Sequence, residues 1–145
     1  MSIGRICVRE VDLAEPDESA FVAAQRMHSR NVGTLMVLDE ESRPVGILTD
    51  RDLAIRVVGK GLDPRTTLVR NVMTRAPESV YEDTPIEQAI SHMRAGPYRR
   101  LPVVDRDGKL LGLVSLDDIL DLLSEEFREI GRLVHNESPR VLAQA

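Results

Sequence analysis

The chain has 145 residues, 42% of them hydrophobic and 30% charged, with a formal net charge of −5. That is the balance of a soluble globular protein, long enough to bury about two-thirds of its surface. The acidic balance, the absence of Trp and the scarcity of other aromatics speak against a protein that neutralises nucleic-acid phosphates or stacks bases, and no apolar run reaches the roughly 20 residues of a membrane span.

Taken in chain order, the opening Met1 to Cys7 carries no apolar stretch with a small-residue cleavage site, so a cytoplasmic location is expected. Cys7 stands alone, which excludes an internal disulfide and a thiolate-cluster metal site within one chain. Asp17-Glu18-Ser19 starts a helix whose apolar face is Ala20, Ala23, Ala24 and Met27, at the i, i+3, i+4, i+7 spacing. Leu35-Met36-Val37-Leu38 reads as a short strand, joined through a turn at Glu40 to Arg43 to a strand ending in Thr49. A second helix follows, and the Gly- and Pro-bearing stretch from Gly59 to Thr67 reads as a linker. Thr84-Pro85-Ile86-Glu87 predicts a helix with Thr84 as cap, Pro85 at its first position and Glu87 closing a capping box, and its apolar face is Ile86, Ala89, Ile90 and Met93. Leu101-Pro102-Val103-Val104 is the next strand, with Pro102 expected at its start or at a sheet edge. After a turn at Arg106 to Lys109 comes a strand ending in Ser115. The last helix is expected to run past Leu122 and Leu123 to about His135. Its later stripe of Phe127, Ile130 and Val134 either packs on its own module or forms a contact surface. From Asn136 on, the chain reads as a frayed tail.

An ungapped internal repeat organises these elements. A shift of 66 positions carries Val37-Leu38-Asp39 onto Val103-Val104-Asp105, Gly46 onto Gly112 and Asp52 onto Asp118. The expected division is a first unit over 1–60, a linker over 61–68, a second unit over 69–124 and a C-terminal helical extension and tail over 125–145. Each unit reads as strand, helix, strand, strand, helix, giving an α+β fold.

The segments richest in chemical information are Gly46-Ile47-Leu48-Thr49-Asp50-Arg51-Asp52 and its copy Gly112-Leu113-Val114-Ser115-Leu116-Asp117-Asp118. In each, a strand ends in a hydroxyl residue and a carboxylate follows three positions later, in the first turn of a helix. One reading is a capping box, with the hydroxyl accepting from a helix N–H and the carboxylate reaching back to the cap. The other is a ribose clamp, in which the carboxylate accepts from two vicinal sugar hydroxyls while the hydroxyl and the helix N–H groups face phosphate. The two roles are compatible.

These paired segments, the Leu101-Pro102-Val103-Val104-Asp105 strand and the Val72-Met73-Thr74 opening of the second unit resemble a tandem pair of CBS domains, or Bateman module, over about residues 3–124, in the manner of small stand-alone bacterial CBS-pair proteins. The resemblance implies two βαββα units packed through their sheets about a pseudo-twofold axis, with clefts for adenosine-containing ligands: AMP, ADP, ATP, NAD or S-adenosylmethionine. It implies that Asp52 and Asp118 hold ribose hydroxyls and that Thr49 and Ser115 lie beside ribose or phosphate. Adenine is implied against Thr74, Ser79, Tyr98, Arg99 and Arg100 in the second unit, and against Val8, Leu13, Val32, Gly33 and Thr34 in the first. Two departures, Val8 for the hydroxyl of Thr74 and Met36 for Pro102, put the first cleft in doubt. Arg99 and Arg100 either reach phosphate or, for Arg99, fill the adenine pocket. Arg51 either meets phosphate or pairs with Asp50, Glu40 or Glu41 at the surface.

Two functions follow from this reading. One is a non-catalytic sensor that needs no cofactor, takes an adenine nucleotide as regulatory ligand and signals to a protein partner in trans by a changed tilt or dimer packing. The other is a dimeric interaction scaffold with degenerate clefts. A homodimer is expected in either case, with no nucleic acid or membrane as partner. An enzyme is not expected, for no P-loop or nucleophilic triad spacing is present, and His28, His92 and His135 sit at unrelated repeat positions, so no metal site is expected. Asp105-Arg106-Asp107-Gly108 starts like a calcium loop, but Lys109 and Leu110 supply no further ligand, which leaves a hairpin turn.

Overall fold

The computed structural model describes residues 1–96 and 98–136. A short 3₁₀ turn at Ile3–Arg5 precedes α1 (Ala20–Arg30), β1 (Thr34–Leu38), β2 (Pro44–Thr49) and α2 (Asp50–Asp52), which runs on as a π-helical segment over Leu53–Val58. Then come α3 (Val69–Val72), β3 (Thr74–Arg75), β4 (Val80–Tyr81), α4 (Ile86–Ala95), β5 (Arg100–Val104), β6 (Leu110–Ser115) and α5 (Leu116–Asn136). The strands form two sheets, β1-β2-β3 and β4-β5-β6. The repeat is carried into the register: Thr34 faces Thr49 as Arg100 faces Ser115, and both hairpins have an irregularity at the same place, between Val37 and Leu38 and between Val103 and Val104.

The units exchange their opening segments. β3, which follows the linker, pairs antiparallel with β2 of the first sheet, Thr74 opposite Ile47. In the reciprocal exchange Val8 bridges Leu113 of the second sheet, each N–H reaching the other's carbonyl at 2.9 Å. The glycines of the repeated motif make room for this. A Cβ on Gly112 would lie 2.7 Å from the Val8 carbonyl oxygen, and one on Gly46 would meet the Met73 side chain. Ile3 is consequently buried in the second core, with Val80, Leu101, Val103, Val114 and Ile119. The first core joins Leu35, Val37 and Leu48 to Ala20, Ala23 and Met27 of α1 and to Val69 and Val72 beyond the linker. The two hairpins also meet, the Leu110 N–H donating to the Ser42 carbonyl at 2.9 Å and Arg43 Nε to the Asp107 carbonyl at 3.0 Å.

Three expectations need correction. Thr84 does not cap α4: its hydroxyl accepts from the Tyr81 N–H at 3.1 Å to close the turn after β4, so the helix starts one residue later, with Pro85 at the N-cap position and no side-chain cap. Pro102 is neither at a strand start nor at an edge. It lies mid-strand in β5, buried, in the middle strand of its sheet. The position tolerates proline because Leu113, opposite it, turns its N–H and C=O toward Val8, so a ladder N–H toward β6 is not required there. Its counterpart Met36 does donate on the other side, to the Asp12 carbonyl at 2.9 Å. Third, the unit does not open on one strand: its extended opening is split, the first piece serving the other sheet and the second its own, as Leu13 beside Met36 and β4 beside β5.

Within the expected start Asp17-Glu18-Ser19, it is Ser19 that caps α1, accepting from the Val22 N–H at 3.1 Å. α5 continues to Asn136, and beyond Leu122 its apolar stripe leaves the module: Phe127 is 74% exposed and Ile130 and Val134 are exposed as well. The remainder of the expected tail, 137–145, lies outside the described residues.

Candidate functional site

Both strand-to-helix turns form complete capping boxes. At the first, Thr49 Oγ1 accepts from the Asp52 N–H at 3.2 Å and Asp52 Oδ2 accepts from the Thr49 N–H at 2.9 Å. At the second, Ser115 Oγ accepts from the Asp118 N–H at 3.1 Å and Asp118 Oδ2 accepts from the Ser115 N–H at 2.8 Å. Each cap uses one carboxylate oxygen, Oδ2, and leaves Oδ1 outside the capping box. The two carboxylates differ in their ion pairing. Asp52 Oδ1 stands 3.7 Å from Arg56 Nε, one helical turn on, and Arg56 also donates to the Val72 carbonyl at 2.9 Å and to Thr74 Oγ1 at 3.4 Å. The repeat places Leu122 where Arg56 stands, and Asp118 has no ion pair among the described residues.

The exchange of opening segments decides which predicted residues are neighbours. Thr74 stands in the first sheet, joined through Arg56 to Asp52, while Val8 and Ser79 stand in the second unit, Ser79 Oγ donating to the Pro77 carbonyl at 3.4 Å. Asn31, in the left-handed region at φ 52°, ends α1 and sends the chain through Val32 and Gly33 into β1. The Gly33 carbonyl accepts from the Asp50 N–H at 3.0 Å, and the Asp50 carboxylate packs where a Gly33 side chain would be. Beside them Thr34 Oγ1 is buried without a hydrogen-bond partner among the described residues. Leu13, whose bridge to Met36 sets the edge of this sheet, is exposed.

A cavity of about 770 Å³ opens between the units and brings together five of the predicted residues, Arg51, Tyr98, Arg99, Arg100 and Ser115. Ile90 and Met93 of α4 give it an apolar wall. Arg51 reaches it from the first unit, and none of its guanidinium nitrogens pairs with Asp50, Glu40 or Glu41; among the described residues the Asp50 carboxylate accepts only from the Arg51 backbone N–H, at 2.9 Å. Asp118 is not among the lining residues, although Asp117 before it is. Sequence reasoning missed Arg56 and, in the cavity lining, Ile90, Met93, Arg94, Gly96, Leu116 and Asp117. Arg56 was legible in its i, i+4 spacing from Asp52; Arg94, which also lines the cavity, carries no local signal beyond its charge near the end of α4. Among the described residues no group of three or more His, Cys, Asp or Glu is placed to hold a metal ion, and no helix is long and apolar enough to cross a membrane.

Two repeated units with exchanged opening segments and duplicated hydroxyl–carboxylate turns define a tandem pair of CBS domains. The chain matches the CBS domain family over residues 3–59 and 69–125 and belongs to it. It is 36% identical over 122 residues to an uncharacterized protein of Methanopyrus kandleri, the match covering 84% of this chain and 62% of that one. It thus spans less than two-thirds of that relative's length. Among solved structures it resembles the CBS domain pair of protein MJ0100 in complex with 5-methylthioadenosine and S-adenosyl-L-methionine (25% identity, TM-score 0.78, covering 87% of this chain and 98% of that one). It also resembles CBSX2 in complex with AMP (26% identity, TM-score 0.73, 86% and 96%).

Proposed function

We propose that this chain is a non-catalytic cytoplasmic sensor of adenosine-containing nucleotides (AMP, ADP, ATP, NAD or S-adenosylmethionine), which bind between its CBS units and change their tilt or dimer packing, altering a protein partner in trans. The observation that carries this reading is the cavity between Arg51 and Tyr98 to Arg100, beside the Ser115 turn, in a family whose solved members include complexes with AMP and with S-adenosyl-L-methionine. In this reading Ser115 and Asp118 receive ribose, Tyr98 with Ile90 and Met93 receives the base, and the arginines receive phosphate. The first turn, with Thr49, Asp52, Val32, Gly33, Thr34 and Thr74, is the weaker candidate, because Arg56 already engages Asp52 and Thr74.

The exposed stripe on α5 favours a homodimer, and with empty clefts the same surface supports the second reading, an interaction scaffold. Melting with each nucleotide separates the two readings. A ligand at 100 times its dissociation constant adds about 2.7 kcal/mol and raises the midpoint by several degrees. No shift with any of the five compounds, on folded protein, leaves the scaffold.

A further inference from the structure

Arg51, Arg94, Arg99 and Arg100 border the interunit cavity, with Asp117 as the acidic residue in its lining. None of the four guanidiniums has an ion pair or side-chain hydrogen bond among the described residues, whereas Arg26, Arg30, Arg43, Arg56 and Arg106 are all paired with carboxylates. Gathering four unpartnered cations around one cleft of an acidic protein is unfavourable until an anion enters, and a guanidinium fork is shaped for phosphate oxygens.

The internal repeat supplies a control within the same molecule. The positions of Arg99, Arg100 and Leu116 are held in the first unit by Gly33, Thr34 and Asp50, and the position of Arg51 is held in the second by Asp117. The backbone frame is therefore used twice with opposite charge: the first turn presents Asp50 at its mouth, and the second presents arginines. Met93, Ile90 and Tyr98 give the arginine-lined cleft the apolar wall that a base requires, so its chemistry is that of a nucleotide with several negative charges rather than of a bare anion.

We propose that the second cleft selects its ligand by phosphate charge: it takes an adenosine di- or triphosphate, with AMP weaker, discriminates against neutral adenosine and against the sulfonium of S-adenosylmethionine, and leaves the first cleft without a phosphate ligand. This rests on the nucleotide-sensor reading and narrows it to one ligand class and one cleft. The sulfonium brings a positive charge into a field made by four guanidiniums, and adenosine brings nothing to neutralise them.

The test is titration calorimetry on the full chain with ATP, ADP, AMP, adenosine, S-adenosylmethionine and inorganic tripolyphosphate, at low and at physiological ionic strength. The expected order is ATP, ADP, AMP, then adenosine and S-adenosylmethionine, with one ATP per chain and with salt weakening ATP far more than adenosine. Arg99→Gln and Arg100→Gln are each expected to weaken ATP by about 10- to 100-fold, with adenosine affinity moved far less and the melting midpoint of the free protein not lowered, since each substitution relieves repulsion among the guanidiniums. Adenosine or S-adenosylmethionine binding as tightly as ATP, or ATP affinity unmoved by both Gln variants, overturns the proposal while leaving a nucleotide sensor standing. Tripolyphosphate binding as tightly as ATP would instead keep the arginine selection and remove the adenosine reading beneath it. No binding of either ATP or tripolyphosphate overturns the proposal outright.

Discussion

Arg56 Nε stands 3.7 Å from Asp52 Oδ1, and the same guanidinium reaches past the carboxylate to the Val72 carbonyl and to Thr74 Oγ1, across the linker in the opening of the second unit. One side chain thus ties the capping turn of the first unit to the segment that completes its sheet. Because the guanidinium is half-exposed, the ion pair itself adds little, and the part-buried hydrogen bond to the Val72 carbonyl at the end of α3 carries most of its worth.

Arg56→Leu, which copies the residue at the equivalent position of the second unit, is expected to cost about 1–3 kcal/mol in urea denaturation, since a charged donor to a backbone carbonyl is lost. Arg56→Lys recovers only part of this, because an ammonium cannot span the three acceptors as a planar fork does. Stability equal to the parent in both variants would show that the guanidinium contributes nothing.

Asp52 and Asp118 make the same cap, but only Asp52 has an ion-pair partner among the described residues. Ala at either position loses the carboxylate that holds the cap N–H, at about 0.5–2 kcal/mol of stability. Under the nucleotide-sensor reading only Asp118→Ala also weakens the ligand, by about 10- to 100-fold, because Asp52 already faces Arg56. Should Asp118→Ala lower the melting midpoint with ligand affinity untouched, its carboxylate is a cap and nothing more.

The ion pair between Glu18 and Arg26 makes an acid-sensitive link at the start of α1. The Arg26 guanidinium, bonded to both carboxylate oxygens, holds the Glu18 carboxyl below its ordinary value, against the opposing effect of burial. The lowered value in the folded state means that this pair stabilises fully above the ordinary carboxylate range near 4.5 and that the contribution fades as pH falls through it toward the folded value. Glu18→Gln is therefore expected to reduce stability at neutral pH and to make the acid side of the stability profile less steep. Parallel profiles for parent and variant between pH 3 and 6, an interval chosen to span roughly the carboxylate range, would count against it.

The repeated glycines are expected to respond unequally to a methyl group. At Gly112 the new Cβ meets the Val8 carbonyl oxygen at 2.7 Å, a backbone atom fixed in the bridge to Leu113, whereas at Gly46 it meets Met73, whose flexible thioether can turn aside. Gly112→Ala is expected to cost about 1–3 kcal/mol and Gly46→Ala less. Equal losses, measured by chemical denaturation, would mean that the opening segments yield equally.

The elements with local causes were legible in the sequence. The helix start within Asp17-Glu18-Ser19, the apolar faces of α1 and α4 apart from the exposed Ile90, both hydroxyl–carboxylate turns and the length of α5 all follow from spacings within a few residues. What escaped depends on contacts between distant segments. Thr74 and Val8 trade sheets, a pairing with no local signature, so the predicted ligand residues were grouped by unit and not by their neighbours in space. Thr84 matched a cap pattern, yet its hydroxyl was claimed by Tyr81 three residues earlier. Pro102 broke the edge rule because the register with β6 makes it a non-hydrogen-bonded partner of Leu113, a pairing that its own sequence does not show. Burial raises the pKa of the half-buried Cys7 thiol above its ordinary value.

α5 carries an exposed apolar seam. Leu120, Leu123, Phe127, Ile130 and Val134 recur at alternating steps of three and four residues, the seam spacing of helices that pack side by side, and all are exposed. Nothing among the described residues covers this stripe, so a second copy presenting the same helix would bury it symmetrically. Sedimentation equilibrium is expected to show a dimer, and Phe127→Glu combined with Ile130→Glu is expected to give a monomer, by placing four like charges in the seam. Because both side chains are already exposed in the single chain, the double variant should keep its secondary structure by circular dichroism. A parent protein that sediments as a monomer at every concentration would overturn the homodimer, and a double variant that stays dimeric would move the interface off α5, to the exposed faces of α1 and α4.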